Sequence, residues 1–168
     1  MSEQIIEQIK RIVPPPEKDG RNEPNNWEGI ERKLGLELPE QYKQIIDIYG
    51  DYYWFDFLYF LNPFSSNPNI NLFIQIQEIR KYLTEARNQF PEIYLFSIYP
   101  EDGGLLPFIY TDNGDEGFWI TKGQPNDWPI MFKNQRFNDF EVRFMSCDIF
   151  LFHNLKGLIH SIVLPKLI

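Results

Sequence analysis

The stretch Trp27 to Gly50, WEGIERKLGLELPEQYKQIIDIYG, limits this chain more than any other, because it encodes two short amphipathic helices and a turn and little else. Asn26 is placed to cap the first helix, and Trp27, Ile30 and Leu34 recur at i, i+3 and i+7 before Gly35, a residue suited to the position just past a helix end. Pro39 opens a second helix, where its missing N–H leaves nothing unpaired, and Tyr42, Ile45, Ile46 and Tyr49 mark one face up to Gly50. Helices this short do not stand alone in water. Both must be packed on something, and the β-rich remainder of the chain is the available surface.

Upstream, Ile5, Ile6, Ile9, Ile12 and Val13 form the stripe of a first helix capped by Ser2, stopped by Pro14, Pro15 and Pro16, and expected to dock on the domain. A polar connector containing Gly20 and Pro24 follows. Residues 1–25 are thus read as helix and connector, and 26–168 as one domain, since 168 residues support a single core. Downstream, DYYWFDFLYFLNPF reads as a strand entering a turn, Ile70 to Ile74 as a short extended piece, and Ile76 to Phe90 as a third main helix. Ile93 to Tyr99, Leu105 to Thr111, Gly117 to Lys122, Trp128 to Lys133 and Phe140 to Phe144 read as strands. Asn113-Gly114 between the second and third of these suits a type I′ hairpin. Ser146 caps a closing helix interrupted near Gly157. Helices first, then a mainly antiparallel sheet with one helix inserted, then a closing helix: the class is α+β.

Aromatic residues make up 17% of the chain, and Trp54, Trp119 and Trp128 fall in strand-like runs where they are expected to fill the core. The formal charge of −8 disfavours nucleic acid and anionic membranes as partners and favours a basic protein, although an acidic surface also serves solubility alone. Acids concentrate in the middle of the chain. Asp51 precedes Tyr52 and Tyr53 just after the helix-ending Gly50, a composition that suits an aromatic and acidic rim as well as a plain loop. Glu101-Asp102 and Asp112, Asp115 and Glu116 lie at turns, and charge reversal at the last three is expected to slow association without unfolding the domain.

No catalytic, cofactor or metal motif is present. The Asp112 to Glu116 run resembles a calcium loop only faintly, lacking alternate ligands and a distal Glu, so the hairpin reading is favoured. His153 and His160 have no Cys or acid completing a zinc-like set, and Cys147 stands alone among Phe144, Met145 and Ile149 as a small buried hydrophobe. A lone cysteine and the lack of a leader-like or spanning segment fit a soluble cytoplasmic protein. A monomer or weak homodimer is expected.

Trp27-x-x-Ile30-Glu31, Leu34-Gly35, Leu38-Pro39, Tyr42-Lys43 and Ile48-Tyr49-Gly50 resemble the opening signature of the SUKH superfamily, bacterial immunity proteins related to fungal cell-wall assembly regulators. Leu105-Leu106-Pro107, Asp112-Asn113-Gly114-Asp115, Phe118-Trp119 and Trp128 to Phe132 resemble its second half; Gly50-Asp51 stands where the family often has two glycines. The resemblance implies a mainly antiparallel sheet flanked by helices, no catalysis, and neutralisation of a cognate toxin, often a nuclease, by direct binding. The matching residues are fold determinants and transfer no binding site. A regulatory scaffold for endogenous proteins is the alternative, and an unrecognised hydrolase would require a deep pocket with a carboxylate of perturbed pKa.

Overall fold

A computed structural model describes residues 2–17, 23–134 and 139–166. The expected stripe in the N-terminal stretch forms α1 (Ser2–Ile12), which buries Ile6 and Ile9. Ser2, expected to cap this helix, is already its first residue, and the connector's Gly20 lies outside the described residues. The two-helix stretch folds as read, giving α2 (Trp27–Leu34) and α3 (Glu40–Tyr49). Asn26 Oδ1 accepts from the Gly29 N–H at 3.0 Å, and Gly35 closes α2 in the left-handed region at φ 74°. Pro39 sits one position earlier than expected, as the N-cap of α3, and has no side-chain group to offer; Asn126, far along the chain, supplies the acceptor for the Glu40 N–H at 2.8 Å. Glu31 ties the pair together by accepting from the Leu38 N–H and from Lys43 Nζ, each at 2.9 Å.

The strands make one antiparallel sheet in chain order: β1 (Tyr53–Trp54), β2 (Leu58–Phe60), β3 (Leu105–Thr111), β4 (Glu116–Ile120), β5 (Ile130–Lys133) and β6 (Phe140–Arg143). Between β2 and β3 the chain runs through α4 (Leu72–Gln89), and after β6 it closes with α5 (Cys147–Leu155). Alternation along the strands divides the sheet into two faces. One carries Leu106, Phe108, Trp119, Ile130 and Phe132 and is covered by α1, α2, α3 and α5; the other carries Leu105, Phe118 and Met131 beneath Ile79 and Leu83 of α4. Trp54, Trp119 and Trp128 are buried as expected, with Trp119 stacked on Phe108 at 4.5 Å between ring centres and meeting Tyr42 edge-on at 4.9 Å. Cys147 is buried too. No helix among the described residues is long and apolar enough to cross a membrane.

Three local readings change. The run from Tyr53 is a tight hairpin rather than one strand: Phe55 and Asp56 both take positive φ, at 56° and 51°, and the Phe57 N–H bonds the Trp54 carbonyl at 3.0 Å. Neither residue is a glycine, so nothing local announces the turn; the packing of Phe55 and Phe57 against the main core holds it. Ile70 to Ile74 is not extended, because Asn71 accepts from the Phe73 and Ile74 N–H groups and starts α4 at Leu72. Ile93 to Tyr99 is irregular: its only ladder pairing with the sheet is an isolated bridge from Ile98 to Leu105, its Tyr94 and Phe96 pack on the α4-side cluster, and its Ile93 and Leu95 face solvent. The β3–β4 hairpin stands where expected, yet only Gly114 has positive φ (79°) while its N–H bonds the Thr111 carbonyl at 2.9 Å. That is a three-residue loop with a left-handed glycine in its last position, in place of type I′.

Candidate partner-binding surface

The two hairpins bring one end of the sheet together. Tyr53 on β1 and its cross-strand partner Tyr59 on β2 stack at 4.6 Å with ring planes 22° apart. Tyr53 donates its hydroxyl to Asp112 Oδ2 in the β3–β4 loop, and the Asp112 N–H donates to the Phe57 carbonyl at 3.0 Å. Accepting from the phenol stabilises its protonated form, so the Asp112 carboxylate, first among the causes, pushes the Tyr53 pKa up to about 12. Asp56, at the hairpin tip, and Asp112 are exposed. The result is a half-buried pair of stacked phenols edged by two exposed carboxylates, fixed by a backbone bond between hairpins that are far apart in sequence.

The other acids singled out in the sequence lie elsewhere or do other work. Asp51 is exposed, but its two oxygens accept from Asn62 Nδ2 at 2.7 Å and Ser65 Oγ at 2.8 Å, so it fastens the loop before α4. Tyr52 packs edge-on against Tyr49 and Trp54. Glu101 and Asp102 sit beyond the opposite end of β3, roughly 20 Å from Asp112 for a strand of this length. Glu101 pairs with Arg87 through both oxygens at 2.8 Å and accepts from the Ile98 N–H at 2.9 Å; the guanidinium first and the N–H second hold its carboxyl down to about 2. Asp102 is exposed.

Asp115 and Glu116 are each 3% exposed, so the hairpin does not present a run of acids. Asp115 folds back on the loop, with its N–H on Thr111 Oγ1 at 3.0 Å. Glu116 points to the α4 face, where it accepts from the Tyr82 hydroxyl and lies directly across from Lys133, whose ammonium is 5.3 Å from the Tyr82 ring centre. Burial, the largest influence, raises the Glu116 pKa despite the opposing pulls of Tyr82 and Lys133. Charge reversal there therefore strikes the interior, contrary to the expectation that all three hairpin acids are surface groups.

Hollows in the described surface are modest. The largest of those characterised, about 360 Å³, is a groove between α1 and α5 lined by Gln4, Glu7, Gln8, Arg11, Ile12, Phe152 and Lys156. The buried carboxylates with raised pKa, Glu116 and Asp148, do not line it. Beneath α4, the space lined by Lys133, Tyr94 and Phe140 encloses about 10 Å³, no more than one water's worth. Among the described residues no three His, Cys, Asp or Glu side chains converge as metal ligands.

Sequence reading did not single out Asp56 and Tyr59 as site residues. The signal for them, a Tyr-x5-Tyr spacing closing a cross-strand pair, becomes visible only when the glycine-free turn at Phe55-Asp56 is known. Compared with known proteins, residues 24–146 match the family model SUKH_6, described as SMI1-KNR4 cell-wall. No curated protein and no solved structure matches the chain.

Proposed function

Because the chain belongs to the SUKH_6 branch of the SMI1-KNR4 cell-wall family, we propose that it works by binding, as a non-catalytic immunity protein that captures and neutralises a cognate bacterial toxin. The observation that carries this reading is the face built from the half-buried, stacked Tyr53 and Tyr59 and the exposed Asp56 and Asp112, in a chain of net charge −8. Stacked tyrosines supply rigid contact area with little side-chain freedom to lose, and the carboxylates at their rim attract a basic partner. A nuclease fits best: it must be basic to hold phosphates, so an acidic protein is steered toward the same groove and blocks it.

Co-expression of this chain with candidate toxin domains, basic nuclease domains first, tests the reading. Cells making the toxin domain are expected to survive only when this chain is made as well, and death of cells making both contradicts it. The family's description as cell-wall favours a second reading, a regulatory scaffold. Under that reading, pull-down from the protein's own cell returns endogenous partners and co-expression protects nothing.

A further inference from the structure

The sheet ends in two unequal edges. β1 offers two residues, whereas β6 offers four and is followed by Phe144, which is 89% exposed. The bond from the Asn134 N–H to the Asp139 carbonyl fixes which β6 groups face inward: in an antiparallel ladder the residues bonded to the neighbour alternate, so Glu141 and Arg143 bond β5 while Phe140 and Val142 direct their N–H and C=O outward. Among the described residues none of those outward groups has a backbone partner beyond β5. An edge of this kind is a template for another strand.

We infer that a second copy of this chain pairs with β6, antiparallel and across a two-fold axis through Val142, joining two six-stranded sheets into one. The sequence Phe140-Glu141-Val142-Arg143-Phe144 is self-complementary about its centre. In that register Val142 faces Val142 of the partner subunit, Phe140 faces Phe144 of the partner subunit, and Glu141 faces Arg143 of the partner subunit, each of the last two pairings occurring twice. Only registers that oppose outward residues to outward residues can bond. Of the nearest ones, centring on Glu141 sets two glutamates directly opposite, and centring on Arg143 sets two arginines opposite; the Val142 register avoids both and matches charge with charge. It also brings the exposed Phe144 onto Phe140, which already meets Phe96 at 5.3 Å, and covers Val142, itself 39% exposed. Arg143 and Glu141 are prepared for this by their own ion pair and by the closing segment, whose His160 carbonyl accepts from Arg143 at 2.8 Å and whose Ile162 N–H donates to Glu141 at 2.9 Å. The interface uses the sheet edge opposite β1, so it leaves the tyrosine–carboxylate face free and stands independently of what that face binds.

So short an edge makes a weak dimer, with a dissociation constant between roughly 10 μM and 1 mM, the range of small interfaces. Sedimentation of the full chain over that span is expected to show reversible doubling of mass, and Val142→Lys, which sets two ammonium groups face to face, is expected to weaken it at least about tenfold. Register is read separately by thiol cross-linking, since the native Cys147 is buried. Val142→Cys places two thiols on residues about 5.5 Å apart at Cα, within disulfide reach, whereas the two Phe144→Cys thiols lie about 13 Å apart along the strands. Faster disulfide dimer formation by Val142→Cys than by Phe144→Cys is the expected result, and the cysteine variants carry the test if Val142→Lys fails to fold by circular dichroism. A chain that stays monomeric to about 1 mM, or Phe144→Cys that cross-links as fast as Val142→Cys, overturns the inference.

Discussion

Replacing Glu116 by Lys separates the acids that build this protein from the acids that face solvent. Glu116 is 3% exposed and lies directly opposite Lys133, itself buried, on the neighbouring strand. Side chains at such positions are about 5 Å apart, and at an effective dielectric near 20 two unit charges at that distance interact by roughly 3 kcal/mol. Reversal exchanges an attraction of that size for a repulsion and leaves the Tyr82 hydroxyl without its acceptor. Experience with broken buried pairs, about 3–5 kcal/mol, sets a conservative loss. For a domain whose whole stability is about 5–15 kcal/mol this is a large fraction, and at about 2–4 °C per kcal/mol for this chain length the melting temperature falls by roughly 6–20 °C. Asp112→Lys, at an exposed loop, is expected to change it by no more than a few degrees. Thermal unfolding followed by circular dichroism at pH 7 measures both. Equal melting of Glu116→Lys and the natural chain refutes the buried placement of Glu116. The sign with pH is fixed as well. The folded state raises the Glu116 pKa, so the stability this group contributes is fully present below the ordinary carboxylate value of about 4.3 and is lost as pH rises through the raised folded value. Glu116→Gln keeps an acceptor for Tyr82 and is expected to flatten that part of the stability profile.

Two further outcomes follow from the packing. Ile9 in α1 is fully buried while Ile12 is at the margin, so Ile9→Ala is expected to cost about 2–5 kcal/mol and Ile12→Ala less than about 1 kcal/mol by denaturant titration; equal effects contradict a docked α1. Glu101, held down to about 2 chiefly by Arg87, contributes stability that is present above about 4.3 and lost as pH falls toward 2, and Glu101→Gln is expected to erase that acid-limb loss in a pH series of melts.

The legibility of the chain divides along local and non-local lines. α2 and α3 were readable because stripe, cap and stop all lie within a few residues of one another, from Asn26 to Gly35 and from Pro39 to Gly50. The hairpin at Tyr53 was hidden because Phe55 and Asp56 adopt positive φ under tertiary packing and not by intrinsic preference. Ile93 to Tyr99 has strand-like composition, but β3 is already paired along its length with β4 and from Ile109 onward with β2, and beside its start it holds one bridge, from Ile98 to Leu105. Site residues were less accessible still. Asp112, Asp115 and Glu116 are neighbours of one chemical type, and their separation into one exposed and two buried carboxylates depends on how the loop turns Asp115 back onto Thr111 and on which face of β4 Glu116 takes beneath α4. Tyr53 and Asp112 meet through a fold 59 residues in the making.

We propose that Tyr53, Tyr59, Asp56 and Asp112 form the face by which this acidic chain is held by a basic macromolecule. It is tested by the association rate between the chain and the toxin domain it protects against in co-expression, taken over a salt series with the natural face and with Asp56→Lys/Asp112→Lys. The account predicts a rate that falls steeply with salt, and a drop of about tenfold or more with a flatter salt dependence for the double variant. A rate and salt slope identical in the two proteins, with the variant folded, contradicts it.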